Sequence, residues 1–196
     1  MVLARISCHL ETTVWYHPLQ IGFRQGLCTH NSSYHLRKTA QPPRSNQDVE
    51  PDLLVAVHLK KVFDTVTDES VMDAARAAGL TGRPLNFMKG FLEGRNFEVR
   101  MQGTATTRYS NAVGVPQGAI VFSRLFNISM ARLVWQLEEV DELHFTIYTD
   151  DITLWMSCEE GITDQVAALK TVLDMTKAFL ENTRMSSSPE ILIHHH

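Results

Sequence analysis

The feature that most constrains this chain is a pair of adjacent aspartates, Asp150 and Asp151, between two apolar segments. Residues 144–149 and 152–156 have the apolar, β-branched character of strands, so the pair is predicted to form the tight turn of a hairpin. Two like charges beside a buried sheet repel each other and lose solvation unless a cation neutralises them. Taken alone, the pair fits an ordinary solvated turn equally well, because aspartate is favoured in turns.

The other patterns predict an α+β fold with an antiparallel sheet. The apolar run 53–59 is typical of a strand buried on both faces, although it contains His58. Residues 39–52 are rich in Pro, Asn, Gln and Ser and predict a loop. The further predicted elements are helices at 69–78, 84–92, 124–138 and 164–180, a hairpin formed by 96–101 and 106–110, and a short strand at 191–193.

Composition indicates one domain, or part of one, since 196 residues with 44% hydrophobic residues bury one sizeable core. The cysteines Cys8, Cys28 and Cys158 form no C-x-x-C pair, which favours a reduced, intracellular setting, in the nucleus or the cytoplasm. No stretch approaches the roughly 20 apolar residues of a membrane span, so we expect no membrane partner. The terminal histidines 194–196 are interpreted as a tag remnant or chance rather than a metal site.

The net charge of −4 argues mildly against a nucleic-acid partner, because phosphate binding calls for an excess of Lys and Arg. The charge is unevenly distributed, however. Residues 1–135 carry fifteen Lys/Arg and ten Asp/Glu, whereas residues 136–196 carry three and twelve. A mildly basic body with an acidic end is compatible with a nucleic-acid channel beside a metal site.

Three segments resemble motifs of reverse transcriptases, in the order in which that family carries them. Residues 55–64, VAVHLKKVFD, look like the strand V-D-L-K-K-A-F-D. Residues 114–118, GVPQG, followed by LFN at 125–127, resemble the G-x-P-Q-G…LFN element. The aspartate hairpin at 148–151 is the third, and this order makes coincidence an unsatisfactory explanation.

The resemblance extends over nearly the whole chain, except the loop at 39–52. Residues 20–24, QIGFR, are similar to the Q-x-G-F-R element of the fingers, and residues 79–87 to reverse transcriptases of arthropod elements. The chain therefore resembles a fragment of a non-LTR (LINE-like) retrotransposon reverse transcriptase. This resemblance implies a right-hand polymerase palm over 53–196, an antiparallel sheet with helices on one face, preceded by partial fingers over 1–52 and with no thumb.

The resemblance also implies the activity and its partners. Such an enzyme is an RNA-directed DNA polymerase that takes an RNA template, a DNA primer and deoxynucleoside triphosphates, and no protein partner is indicated. Two Mg²⁺ ions held by carboxylate oxygens perform the nucleotidyl transfer. By motif, Asp150 and Asp151 would be metal ligands and catalytic residues. His58 stands where the family has the aspartate that contacts both ions.

The same motifs suggest residues that bind the incoming nucleotide. Phe63 occupies the position of the aromatic gate that crowds a ribose 2′-hydroxyl, although a core aromatic is an equal alternative. Gln117, followed by Gly118, would lie along the nucleotide, and a simple tight turn is the alternative there.

His58 is the main departure from the family pattern. A neutral imidazole brings no negative charge and a softer nitrogen ligand, so it replaces a carboxylate between two Mg²⁺ ions poorly. The lysine expected after Glu190 is absent, and Arg124 replaces a proline that would start a helix. We therefore expect an impaired polymerase.

One alternative is a non-catalytic remnant that binds nucleic acid weakly or not at all. Another, a different two-metal phosphotransfer enzyme, would need a further acid, for which Asp64 is the best placed.

Overall fold

The succession of helices and strands confirms the predicted α+β class. The computed structural model describes residues 2–40, 53–60, 65–110, 114, 120–156, 162–183 and 185–190. The helices are α1 (Val2–Thr12), α2 (Thr29–Thr39), α3 (Asp68–Ala77), α4 (Gly82–Leu92), α5 (Ile120–Glu138) and α6 (Ile162–Asn182). The strands are β1 (Leu53–Lys60), β2 (Asn96–Phe97), β3 (Arg100–Met101), β4 (Thr104–Ala105), β5 (Tyr109–Ser110), β6 (Leu143–Tyr148), β7 (Asp151–Met156) and β8 (Ser186–Glu190). Within these ranges no helix is both long and apolar enough to cross a bilayer.

Four strands form one antiparallel sheet in the order β6, β7, β1, β8. The predicted hairpin of β6 and β7 is confirmed, and β1 pairs with β7 in a register that runs from Leu53 opposite Met156 to His58 opposite Asp151. Antiparallel pairing places the end of β1 beside the start of β7. The register therefore brings His58 to the turn of the β6–β7 hairpin.

One face of the sheet forms the core of the described chain. Val57, Phe145 and Ile152 are each at most 4% exposed and belong to one apolar cluster. The cluster continues into α5, which is apolar on most of its circumference and therefore suits a buried position. Leu169 of α6 joins the same cluster, so α5 and α6 cover this face.

The opposite face of the sheet is open at one end, which corrects the prediction for β1. Leu53, Val55, Val57 and Leu59 are buried, but His58 and Lys60 are exposed. Leu54 and Ala56, on the second face, are partly covered, so β1 is not buried on both faces along its whole length. The apolar run did not reveal this, because the alternate positions Leu54 and Ala56 are apolar too.

Helix α2, which the sequence did not predict, covers the other end of that open face. Its Ser32 Oγ lies 2.9 Å from Thr146 Oγ1, and the ring centroid of His35 lies 5.6 Å from that of Trp155. The helix has no fully buried residue of its own and depends on these contacts with the sheet. Within the described ranges, α2 thus covers the end of this face near Trp155 and leaves the end that carries His58 open.

Thr149 and Asp150 form the turn of the β6–β7 hairpin, whereas Asp151 is the first residue of β7. The predicted turn Asp150–Asp151 is therefore displaced by one residue. Thr149 has φ of 58°, and a positive φ at the first of two loop residues is what a type II′ hairpin turn requires. A β-branched residue is strained in that conformation, so the surrounding structure has to hold it there.

Segment 19–22 holds this turn from the edge of the sheet. The Ile21 backbone N–H donates to the Ile147 carbonyl (2.8 Å), and the Ile147 N–H donates to the Leu19 carbonyl (2.9 Å). This pairing brings Gly22 against Thr149, so closely that an added Cβ on Gly22 would lie 2.3 Å from the Thr149 nitrogen. Only glycine fits beside the turn without a shift of backbone.

The remaining predictions are confirmed in part. Helices α3, α4, α5 and α6 match the predicted ones with ends shifted by up to four residues. The predicted exposed hairpin exists as two short ladders, β2 with β5 and β3 with β4. The predicted strand at 191–193 lies outside the described residues, and so does most of the predicted loop at 39–52, of which Thr39 belongs to α2.

Gly22→Ala is expected to lower the free energy of unfolding by about 1–3 kcal/mol, because the new methyl group forces the strained turn or segment 19–22 to move. The matched control is Gly90→Ala, an exposed position in α4 where an added Cβ meets nothing within 4 Å. That control should raise the free energy of unfolding by about 0.5–1 kcal/mol through helix propensity. Urea denaturation measures both, and equal effects of the two variants would contradict the steric account.

Acidification is expected to loosen the contact of α2 with the sheet. Burial, and then the nearby charges of His144 and Lys38, lower the pKa of His35 below its ordinary value of 6.5. The unfolded chain therefore takes up this proton at a higher pH than the folded chain, and stability falls as the pH drops below about 6.5. The loss of stability between pH 7 and pH 5, measured by urea denaturation, should be smaller in His35→Gln. The control is His30→Gln, at an exposed position of α2, for which the loss of stability should equal that of the parent. Equal pH dependence in all three proteins would contradict this role of His35.

Candidate active site

Three side chains predicted to belong together meet at the open end of the sheet. The Nδ1 atom of His58 lies 2.8 Å from Asp151 Oδ1, and its Nε2 lies 3.9 Å from Asp150 Oδ2. One nitrogen of His58 and one oxygen of each aspartate lie within 4.8 Å of one another. The prediction that these residues come together across about ninety positions of sequence is confirmed.

The cluster faces solvent. The side chains of His58, Asp150 and Asp151 are 50%, 31% and 64% exposed, so a solute reaches all three. The backbone beneath them is fixed, because the Leu59 N–H donates to the Asp150 carbonyl at 2.8 Å. Tyr148 ends β6 directly across from Asp151 and is half-buried. The site therefore combines a hydrogen-bonded main chain with accessible charged groups.

A buried polar network ties the hairpin support to α5. The Gln20 side-chain amide donates to the Asn127 carbonyl, and the Asn127 side-chain amide donates to the Gly22 carbonyl, both at 2.8 Å. Gln20 and Asn127 are each 1% exposed. Sequence reasoning placed these residues by resemblance alone and missed their structural role. The available signal was an asparagine inside the otherwise apolar helix α5, because a buried amide needs partners.

The arginine of the QIGFR segment also has a structural role. Arg24 forms two hydrogen bonds to the carboxylate of Glu11, at 2.7 and 3.1 Å. It also donates to the carbonyls of His17 and Gln20. Arg124, at a position where the resemblance implies a proline, donates to the carbonyl of Phe23. Both arginines thus stabilise the fold around segment 19–24 through these bonds.

The predicted nucleotide-binding residues Phe63, Gln117 and Gly118 lie outside the described residues, as does Asp64. The segments that flank them are joined, however. The Gly114 N–H donates to the Val66 carbonyl at 3.0 Å. Arg95 donates to the Gly114 carbonyl and pairs with Asp68 at 2.6 Å. The chain that follows Phe63 and the chain that precedes Gln117 are therefore anchored side by side.

The donor set of the cluster consists of two carboxylates and one imidazole, with a charge of −2 when His58 is neutral. Two Mg²⁺ ions would bring four positive charges and call for oxygen ligands throughout. The residues present do not fit such a pair. They do provide ligand atoms for a single divalent ion.

The sequence model of the family described as "Reverse transcriptase (RNA-dependent DNA polymerase)" matches residues 1–190. A curated relative, the "Probable RNA-directed DNA polymerase from transposon BS" of Drosophila melanogaster, is 27% identical over 150 residues, which cover 72% of this chain and 16% of the relative. Arthropod transposon polymerases are thus among the proteins to which this chain is similar.

Solved structures of telomerases share the fold. The apo telomerase from Candida tropicalis matches 99% of this chain and 36% of its own length, with a TM-score of 0.72 and 9% identity. The telomerase from Candida albicans, in complex with the TWJ fragment of telomeric RNA, matches 100% of this chain and 34% of its own, with a TM-score of 0.70 and 10% identity. The chain therefore spans well under half the length of these relatives, and its sheet and helices correspond to a partial polymerase palm. On the match across residues 1–190 and the order of its motifs, the chain belongs to the reverse transcriptase family.

Proposed function

We propose that this chain is part of an RNA-directed DNA polymerase of a retrotransposon, and that its polymerase activity is impaired in the present sequence. The observation that carries the proposal is the position of His58, in register with Asp151 and 2.8 Å from its carboxylate. Because His58 takes the place of a third carboxylate there, the site has the position of a polymerase centre without its full charge.

The proposed partners are an RNA template, a DNA primer and deoxynucleoside triphosphates. Two motif segments distant in sequence, 55–60 and 148–151, meet at one accessible end of the sheet, where a primer terminus and a nucleotide would be bound. Residues 1–52 would act as partial fingers and residues 53–196 as the palm. The name of the Drosophila relative and the RNA held by the Candida albicans telomerase agree with an RNA template.

The impairment follows from charge. The family uses divalent metal ions, and a pair of Mg²⁺ ions is the cofactor expected of an intact member. In this chain Asp150 and Asp151 offer two negative charges against the four positive charges of that pair. A missing carboxylate at such a site costs several kcal/mol, on the order of the contribution of charge stabilisation by a catalytic metal.

A second part of the proposal concerns the nucleotide. Phe63 and Gln117 are expected to lie near each other, since the segments beside them are joined through Gly114 and Val66. They are expected to line the same cleft as the aspartates, since Phe63 follows the end of β1, which lies beside Asp151. Cross-linking with a photoreactive deoxynucleoside triphosphate, followed by peptide mapping, should label residues near Gln117. Labelling confined to residues distant from Gln117 would contradict this placement of the nucleotide.

The main test is His58→Asp, which adds the missing charge and an oxygen ligand. Mg²⁺-dependent primer extension on an RNA template should rise by about a hundredfold or more over the parent chain, which corresponds to about 3 kcal/mol. No other single change in the chain should raise it as much. Full activity is not expected, since the lysine expected after Glu190 is still absent.

The control is the double variant His58→Asp/Asp150→Asn, which has the formal charge of the parent and should lose the gain. Circular dichroism is used to check that all three proteins fold. Equal extension by the parent and His58→Asp, with equal primer–template binding, would show that His58 does not occupy the position of the family's aspartate.

A further inference from the structure

The ligand atoms of the cluster, one imidazole nitrogen and two carboxylates, differ from the three carboxylates that the family resemblance implies. We propose that His58, Asp150 and Asp151 form a site for a single transition-metal ion of the Zn²⁺ or Co²⁺ class, which it binds in preference to Mg²⁺. The ion would sit at the site of the proposed polymerase, so the inference rests on the proposed function for its setting, but its test measures no polymerisation.

The distances suit one ion. Bonds of about 2.0–2.2 Å from Zn²⁺ to nitrogen or oxygen mean that two ligands of one ion lie at most about 4.4 Å apart. One nitrogen of His58 and one oxygen of each aspartate lie within 4.8 Å of one another. His58 Nε2 lies 3.9 Å from Asp150 Oδ2, and His58 Nδ1 lies 2.8 Å from Asp151 Oδ1. Small rotations of exposed side chains therefore suffice. If the ion binds His58 Nδ1, the single proton of the neutral ring moves to Nε2; if it binds Nε2, the proton stays on Nδ1, beside Asp151 Oδ1.

The charges also suit one ion. Two carboxylates neutralise one divalent cation fully, whereas a second cation would leave the cluster with a net charge of +2. His58 is neutral as a ligand and adds a bond without adding charge. The site therefore has no electrostatic reason to hold a pair of ions.

The ligand types set the preference among ions. Mg²⁺ is hard, prefers oxygen ligands in octahedral geometry and dehydrates reluctantly. Imidazole suits Zn²⁺ and the later first-row ions, whose affinities for a given site rise towards copper. Replacing one carboxylate by His58 therefore weakens the site for Mg²⁺ and leaves a ligand set of the kind found in zinc sites with an open coordination position. The open face of the sheet allows water to complete the coordination.

The test uses the full chain with His194, His195 and His196 changed to alanine, so that the terminal histidines do not bind the ion. Calorimetric titration with Zn²⁺ and with Mg²⁺ gives affinity and stoichiometry, and the visible absorption of Co²⁺ reports the coordination geometry of the bound ion. Four further proteins carry this background with His58→Ala, His58→Asp, Asp151→Asn or His30→Gln. The last is the control, because His30 is exposed and lies on α2, outside the cluster.

One equivalent of Zn²⁺ is expected to bind at least about a hundredfold more tightly than Mg²⁺. His58→Ala and Asp151→Asn should each weaken Zn²⁺ binding about tenfold or more, and His30→Gln should leave it unchanged. His58→Asp should reduce the preference for Zn²⁺ over Mg²⁺ at least about tenfold, by gaining an oxygen ligand and losing the nitrogen. Equal Zn²⁺ binding in the parent and His58→Ala, or no Zn²⁺ binding at all, would overturn the inference.

The outcomes separate this inference from the proposed function. In one outcome, the parent binds Zn²⁺ through His58, but the His58→Asp variant neither binds primer–template nor extends it. This outcome supports the metal site and contradicts the polymerase. Strong primer extension by His58→Asp, with no Zn²⁺ bound by the parent, supports the polymerase and contradicts the metal site.

Discussion

The register between β1 and β7 is the constraint on which the candidate site depends. It pairs His58 with Asp151, and the hydrogen bond from the Leu59 N–H to the Asp150 carbonyl continues the contact into the hairpin turn. A shift of one residue would turn His58 into the core and a buried valine towards solvent. The apolar face of β1 thus determines which residue of this strand faces the aspartates. The register of β1 therefore sets both the burial of the core and the geometry of the site.

The turn that carries the aspartates is held from a second direction. Thr149 adopts a conformation that a β-branched residue tolerates poorly, and Gly22 packs directly on its backbone. Gly22 is in turn held by the side-chain amide of Asn127 in the buried helix α5. The strain at the turn is therefore opposed by main-chain pairing, a close contact that only glycine allows and a buried polar network. These contacts join three segments that are far apart in sequence, namely 20–24, 125–127 and 148–151.

Elements that are recognisable from their own residues are predicted better from the sequence than features that depend on contacts with distant residues. Strands β1, β6 and β7 and helix α5 are apolar runs, so their type follows from their own residues. Helix α2 is mostly polar and forms against Trp155 and Thr146, which no local pattern indicates. The meeting of His58 with the aspartates was predictable only through the family resemblance, because register between strands ninety residues apart is a property of the whole sheet. The hydrogen bonds of Gln20 and Asn127 depend in the same way on distant partners.

The central claim is that His58 stands directly opposite Asp151, beside the turn of the β6–β7 hairpin. Nuclear Overhauser effects in the isotope-labelled chain test it most directly. The account predicts cross-peaks between the imidazole ring protons of His58 and the β-protons of Asp151, together with cross-strand contacts between Ala56 and Thr153. Cross-peaks that place Asp151 opposite Ala56 instead, or His58 among the core residues of α5, would contradict the register and with it the candidate site.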